Sequence, residues 1–498
     1  MICACKKISL SMVFSMLLAG CSLQGDVPFF GLNFPAVFQN APDGKAVKLQ
    51  EYTYKKWWTR YEDPLLNTLI EKMLDQNLEI EAAAARSLQA QEQISQARGA
   101  LYPSLSLDSS ASRVATPSGA GGFVGGGAIA PGGAGTGAGF ATSSPDTIYR
   151  NNYELGLSAS WQVDLFGRVR NSITAAQASL QASEAEKQAL VQNLITQLIG
   201  QRVTLATLLA QIELTEQTIE NRERTLESVE RRYKLGSEQA SALEVRLARE
   251  NLESAKSQLP PLEADYAEAL YTLDILLGEM PGTNDYFALE DFPLLPPPDR
   301  LTVPPPLALL DRRPDLIGAA YRVEAAQANI GVAMADLYPN LSLSGDYGYQ
   351  ASELNNLISP EQIAWSLIGN LTAPLFEGGR LRAAVRLREA EAKELAANYA
   401  QQILQAVGDV ETALKREDEL RNQLSGLDST LEQSQAAYDL AYRRYTRGLV
   451  PFTDLLEIER RLFQTRTQLL QIQQSVWQAR LNLMLALGGD WLDTQETL

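Results

Sequence analysis

The chain has 498 residues, 45% hydrophobic, 21% charged and 7% aromatic, which supports a sizeable core and argues against wholesale disorder. Lys and Arg number 43 against 60 Asp and Glu, a formal net charge of −17 at pH 7, so no nucleic acid partner is predicted. There is no histidine, which removes the commonest general base, the Ser–His and Cys–His nucleophile pairs and every His-ligated zinc site; no enzyme and no catalytic residue is predicted.

Residues 1–20 read as a secretory signal: Lys6 and Lys7, an apolar run from Ile8 to Ala19, then Leu18-Ala19-Gly20-Cys21. The run is too short to span a bilayer. Leu-Ala-Gly-Cys resembles the bacterial lipobox, which implies cleavage before Cys21 and lipidation of Cys21 with an N-acyl diacylglycerol, the only covalent group expected and no separate cofactor. Ser22, rather than Asp, is what that resemblance associates with sorting to the outer membrane. Cys3 and Cys5 leave with the signal, so no internal disulfide forms despite export, and the loss of two lysines takes the charge to −19. Residues 21–63 read as a lipidated, extended segment in which Trp57-Trp58 fits either an interfacial anchor or a packed aromatic pair.

The body of the chain is one unit written twice. Arg86 to Leu107, ending Ala-Leu-Tyr-Pro-Ser-Leu-Ser-Leu, aligns with Arg322 to Leu343, ending Asp-Leu-Tyr-Pro-Asn-Leu-Ser-Leu, with about half the positions identical. Leu165-Phe166-Gly167-Arg168 returns as Leu375-Phe376 and Gly379-Arg380, and Arg231-Arg232-Tyr233 with Gly236 returns as Arg443-Arg444-Tyr445 with Gly448. The first repeat covers 64–280 and the second 311–490, joined by a Pro-rich connector within 281–310 and followed by a tail, 491–498.

Each repeat changes its hydrophobic period along its length. Tyr153, Leu155, Leu157, Ala159, Trp161 and Val163 alternate with Glu154, Ser158, Ser160 and Gln162, a strand of membrane-barrel length. Leu105 and Leu107 begin its partner, giving a hairpin at about 104–165; Leu341, Leu343, Tyr347 and Tyr349 with Ile363, Trp365, Leu367 and Leu371 give a second at about 340–375. The first hairpin's loop, Gly119 to Gly139, is a Gly-rich surface excursion and not a phosphate cradle. Long helices are predicted within 168–278 and 380–487, at about 168–233 and 380–447, with shorter ones at about 64–99, 239–278, 311–336 and 454–487. Leu198, Leu205, Leu209, Ile212, Ile219, Leu226 and Tyr233 form one stripe along a helix of roughly 100 Å. The charge run Lys415 to Glu419 reads as a solvated helix face. Four strands cannot close a barrel and open edges are not tolerated in hydrocarbon, so the chain must oligomerise.

Cys21, Trp58, Asp63-Pro64-Leu65, Leu101-Tyr102-Pro103, Arg312-Arg313-Pro314-Asp315 with Ala325, Ala328 and Gly331, and Tyr445-x-x-Gly448 together resemble the TolC-type outer-membrane efflux proteins, in their lipoprotein (NodT/OprM-like) branch. The resemblance spans essentially the whole mature chain. It implies an α+β membrane protein: a homotrimer whose twelve-stranded β-barrel, four strands per protomer, is continued by a long α-helical coiled-coil barrel. It further implies a place in the outer membrane of a Gram-negative bacterium, in contact with outer-membrane lipid, and partners in a periplasmic adaptor and an inner-membrane pump. The function implied is passive conduction of small molecules, drugs, organic compounds or metal cations. A type I protein-secretion duct and a non-conducting coiled-coil scaffold are the competing readings. Carried over by position, the periplasmic gate falls on Asp454 and Glu457, with Tyr445 and Arg460 as latch partners and Thr453 where some members have an apolar constriction. Asp454 and Glu457 equally suit the first turn of a helix, where acids favour the macrodipole. Gly236 and Gly448 mark the helix-tip turns, the expected adaptor contact. No metal site is expected.

Overall fold

The computed structural model describes residues 31–41, 56–117, 147–235, 241–282, 293–298, 301 and 303–489. The predicted signal 1–20, Cys21, the Gly119–Gly139 loop, Gly236 and the tail 491–498 lie outside the described residues. The described chain forms two compact units, one from Glu92–Ala176 with Ala326–Ala390, the other from Val27–Gln91, Gln177–Ala325 and Glu391–Leu498.

The first unit holds one antiparallel meander, β1 (Ser104–Pro117), β2 (Thr147–Val163), β3 (Asn340–Ala351) and β4 (Ile363–Thr372), in that spatial order. The two predicted hairpins are present and join along β2 and β3, where Val163 faces Leu341 and Leu157 faces Tyr347. That seam is the junction between the repeats. Phe166 stacks on Tyr338, ring centroids 4.8 Å apart, and Arg168 pairs with Asp336 at 2.9 Å beside it.

Helices occupy most of the second unit. The predicted 64–99 helix is two, α1 (Pro64–Gln76) and α2 (Leu78–Gly99). Asn77 interrupts them in an extended conformation; its Oδ1 accepts from the Glu79 and Ile80 amides, capping α2, while its Nδ2 donates to the Leu276 carbonyl. Asp63 caps α1 through the Leu66 amide, with Pro64 at the first helical position. Next come α3 (Arg168–Lys234), α4 (Ala242–Lys256) and α5 (Leu259–Leu276), the break between the last two falling just before Pro260-Pro261. A short α6 (Leu309–Arg312) precedes α7 (Pro314–Ala335), because Pro314 forces Arg313 into an extended conformation. The long helices of the second repeat are α8 (Arg380–Thr446) and α9 (Phe452–Ala486). Both α3 and α8 have 67 residues, roughly 100 Å at 1.5 Å per residue. Among the described residues no helix is long and apolar enough to cross a membrane.

The second unit's core gathers Leu198, Leu205 and Leu209 of α3 with Leu66, Ile70 and Met73 of α1, Leu273 of α5, Val410 of α8 and Leu481 of α9. The apolar stripe of α3 is buried as expected through Ile212, but further along Thr215, Thr218, Arg222 and Val229 take the buried positions and Tyr233 is exposed. A straight helix drifts about 20° per heptad from a strict seven-residue repeat, so its buried face rotates along such a length. Trp57 and Trp58 are buried, and Trp57 packs edge-on against Trp58 and Tyr61, which excludes the interfacial-anchor reading. The solvated face expected at Lys415 to Glu419 holds only in part. Lys415 and Glu419 pair in solvent, whereas Glu417 between them is buried against Arg480 and Arg421. Arg421 is also part of a clamp on the connector. Arg421 donates to the Pro298 carbonyl, Arg202, paired with Asp63 at 2.8 Å, donates to the Pro293 carbonyl, and Trp477 donates to the Leu295 carbonyl. Proline-rich backbone has few amides of its own to pair in a sheet or helix, so side chains hold it by its carbonyls instead.

Candidate functional site

Two regions carry functional geometry. In the first unit, the pleat sorts side chains by parity, since successive residues point to opposite faces. Odd positions put Leu105, Leu107, Leu157, Tyr347, Trp365, Leu367 and Leu371 on one face, and these side chains are largely exposed in the single chain. Even positions build a polar face. The Ser104 and Ser160 hydroxyls lie 2.8 Å apart, those of Ser106 and Ser158 2.7 Å, Ser158 also donates to Asp108, Ser366 donates to Asp346 at 2.9 Å, and Gln350 donates to Asn152 and Glu154.

Gly156 faces Gly348 across the β2–β3 seam on this polar face. A Cβ at Gly348 would stand 2.4 Å from the Gly156 Cα and 2.5 Å from the Leu155 carbonyl oxygen, far inside contact distance. The two strands therefore approach closely on their polar side, where neither has room for a side chain. An apolar face and a polar one on opposite sides of one sheet are what a water-filled membrane barrel requires.

In the second unit, α8 reverses into α9 over five residues. Gly448, at φ +74°, donates to the Tyr445 carbonyl and the Leu449 amide donates to the Arg444 carbonyl, a Schellman cap that needs a left-handed residue. Pro451 then precedes α9. Tyr445 is 6% exposed, with Phe452 at 5.5 Å and the Arg232 guanidinium 4.3 Å above its ring. Burial pushes its phenol up, and its hydroxyl has no hydrogen-bond partner among the described residues. Tyr445 thus packs in a small core with Val229, Ala248, Ala441, Phe452 and Leu455.

Thr453 and Asp454 are exposed in the first turn of α9, and Asp454 makes no ion pair among the described residues. Glu457 differs. Arg460 donates to it at 2.7 Å and Arg461 at 3.2 Å, and these hydrogen bonds hold its carboxyl below the usual range. Arg460 is thereby committed to Glu457 on its own helix, and Tyr445 to Arg232; Tyr445 and Arg460 are not brought together. Gly236 lies outside the described residues; beyond it α4 begins with the Ser241 hydroxyl accepting from the Glu244 amide.

Reading the sequence alone misses the buried pair beneath this tip. Arg222 of α3 donates to Glu459 of α9 at 3.1 Å and to the Asn251 carbonyl of α4 at 2.8 Å, joining both repeats. Burial pushes the Glu459 carboxyl up and the Arg222 charge opposes that shift. The signal was present: Glu459 sits on the apolar stripe Phe452, Leu455, Leu462, where a lone acid needs a buried partner.

Comparison with known proteins agrees with this geometry. Residues 69–279 and 306–489 match the outer membrane efflux protein family, and the gap between the two segments falls on the connector. The chain is 32% identical to the pyoverdine export outer membrane protein OpmQ of Pseudomonas putida over 93% of each chain. It is 27% identical to the probable outer membrane lipoprotein SilC of Salmonella typhimurium, over 98% of this chain and 99% of that protein. The solved structure of the outer-membrane channel OprN superposes with a TM-score of 0.80 at 26% identity, covering 95% of this chain and all of the other.

Proposed function

The chain belongs to the outer membrane efflux protein family, and from that premise we propose that it is the outer-membrane duct of a tripartite efflux system, working as a homotrimer. The observation that carries this is the four-stranded sheet with an exposed apolar face, a hydrogen-bonded polar face and an unpaired edge on each of β1 and β4. Each unpaired backbone group in hydrocarbon costs several kcal/mol, so the edges favour closure by further copies. Three copies supply twelve strands, enough for a water-filled bore, whereas the eight strands of a dimer would be filled by their own side chains.

The duct is passive. Cargo is handed on by a periplasmic adaptor seated on the helix tips around Gly236 and Gly448, and an inner-membrane pump supplies the energy. A small organic molecule is the favoured cargo class, in keeping with the pyoverdine-exporting relative. Cys21 carries the lipid anchor, in keeping with the lipoprotein relative; an intact mass lacking acyl chains on the mature N-terminus would exclude it. At the tip, three copies of Asp454 form the ring of charge that restricts flow, since Glu457 is already neutralised within its helix.

Single-channel recording in planar bilayers tests both levels. The purified protein should conduct, and Asp454→Ala with Glu457→Ala should raise conductance, with Asp454→Ala alone giving most of the gain. A preparation that never conducts removes the duct, and unchanged conductance in the double variant removes these acids from the gate.

A further inference from the structure

Sheltered charges in the second unit are committed to one another, as Arg222 is to Glu459 and Lys72 to Glu279. Arg232 of α3 and Glu244 of α4 break that pattern. Both side chains are half-buried, and neither makes an ion pair among the described residues. They line the same cleft, which Tyr445 and the turn 448–451 complete from the second repeat. Its volume is about 360 Å³, and a sphere of that size is about 9 Å across. Two opposite charges thus face one small space without meeting in it.

Each charge is held in place by its own surroundings. The Arg232 guanidinium stands 4.3 Å over the Tyr445 ring, which uses one face of the group and leaves its N–H edges for an acceptor. Glu244 is fixed through its backbone, where its amide donates to the Ser241 hydroxyl at 3.2 Å. Leu449, 68% exposed, and half-buried Val450 add apolar surface to the same cleft.

We propose that this cleft binds a small zwitterion of the apolar amino-acid type, its carboxylate taken by Arg232, its ammonium by Glu244 and its side chain by Leu449 and Val450. An anion alone would meet the like charge of Glu244, and a cation alone that of Arg232. A neutral guest would strip water from both charges and pair neither. A zwitterion pairs both at once: a carboxylate fits the guanidinium edge with two parallel hydrogen bonds, and an ammonium brings three donors to the Glu244 carboxylate. Because the guanidinium is already oriented by the Tyr445 ring, little ordering is left for the bound state.

The cleft also joins the repeats, with Arg232 and Glu244 on the first and Tyr445 and the turn 448–451 on the second. A bound zwitterion therefore braces the tip and lowers conductance. That consequence rests on the duct reading; the binding does not.

Calorimetric titration of the full-length protein in detergent with L-leucine tests the site. Leucine should bind, and 4-methylpentanoate, which lacks the ammonium, and 3-methylbutylamine, which lacks the carboxylate, should each bind about tenfold more weakly. Arg232→Gln should cost leucine and 4-methylpentanoate affinity and spare the amine, whereas Glu244→Gln should cost leucine and the amine and spare 4-methylpentanoate. A variant that merely disturbed the tip would weaken all three alike. In the wild-type protein, equal affinity for the three compounds overturns the zwitterion, and no leucine binding up to about 50 mM overturns the site. In planar bilayers leucine should lower conductance of the wild type and not of Arg232→Gln. Binding without any change in a conducting channel overturns the bracing, while binding to a protein that never conducts overturns the duct and leaves the site.

Discussion

Arg222 and Glu459 illustrate how single residues fix the tip. A buried ion pair adds little over a hydrophobic pair of the same size, but removing one partner strands the other charge, at a cost of about 3–5 kcal/mol. Arg222→Ala is therefore expected to loosen the tip by that order, read as lost amide-exchange protection in α4 and the start of α9, and Arg222→Met with Glu459→Leu should recover most of it. Wild-type protection in Arg222→Ala would rule out this role for the pair. The gate residues were legible to different degrees. Asp454 stands where the sequence puts it, free and exposed, because the first turn of a helix after proline presents its acids to solvent. Glu457 carries the same charge one turn on, yet two arginines at i+3 and i+4 neutralise it. Tyr445 was legible as a tip residue but not as a core residue, since only folding brings Arg232 and Phe452 onto its ring.

At the level of elements, the strands are more legible in the sequence than the shorter helices. Strict alternation over β2 and β3 admits only a two-faced sheet, so both hairpins appear within a few residues of their predicted limits. The helix breaks at Asn77, between Lys256 and Leu259 and at Arg313 do not show in the apolar pattern, although Asn, Pro and X-Pro are the residues that make such breaks. Periodicity continues across a one-residue interruption, and the apolar pattern alone does not register it. The Gly156–Gly348 pair lies beyond any sequence pattern, because the close approach belongs to two strands about 190 residues apart in the chain. Gly348→Ala should force β2 and β3 apart and abolish assembly into membrane-inserted oligomer, while Ser344→Ala on the same strand face should assemble normally. Normal assembly of Gly348→Ala would mean this close approach is not required.

For the whole molecule, the acid excess is the dominant long-range property. Loss of the predicted signal leaves a net charge of −19, and of those acids Asp108, Glu154 and Asp346 stand on the polar sheet face. Cation preference is expected in bilayers and should fall steeply between 0.1 M and 1 M salt, as the screening length shrinks from about 10 Å to about 3 Å. A preference for anions, or one indifferent to salt, would contradict a bore lined by these acids.

The duplicated plan, the four alternating strands, the long proline-free helices and the absence of histidine chemistry are legible in the chain before it folds. Each is carried by which residues occur and by the order of apolar, polar and helix-breaking residues along the chain. Folding sets which charges are buried, which aromatic rings have partners and which sheet edges stay open. Those depend on the distance between residues remote in the chain, and periodicity carries no record of that distance: Glu417 and Glu419 look alike in sequence, and only the approach of Arg480 separates them.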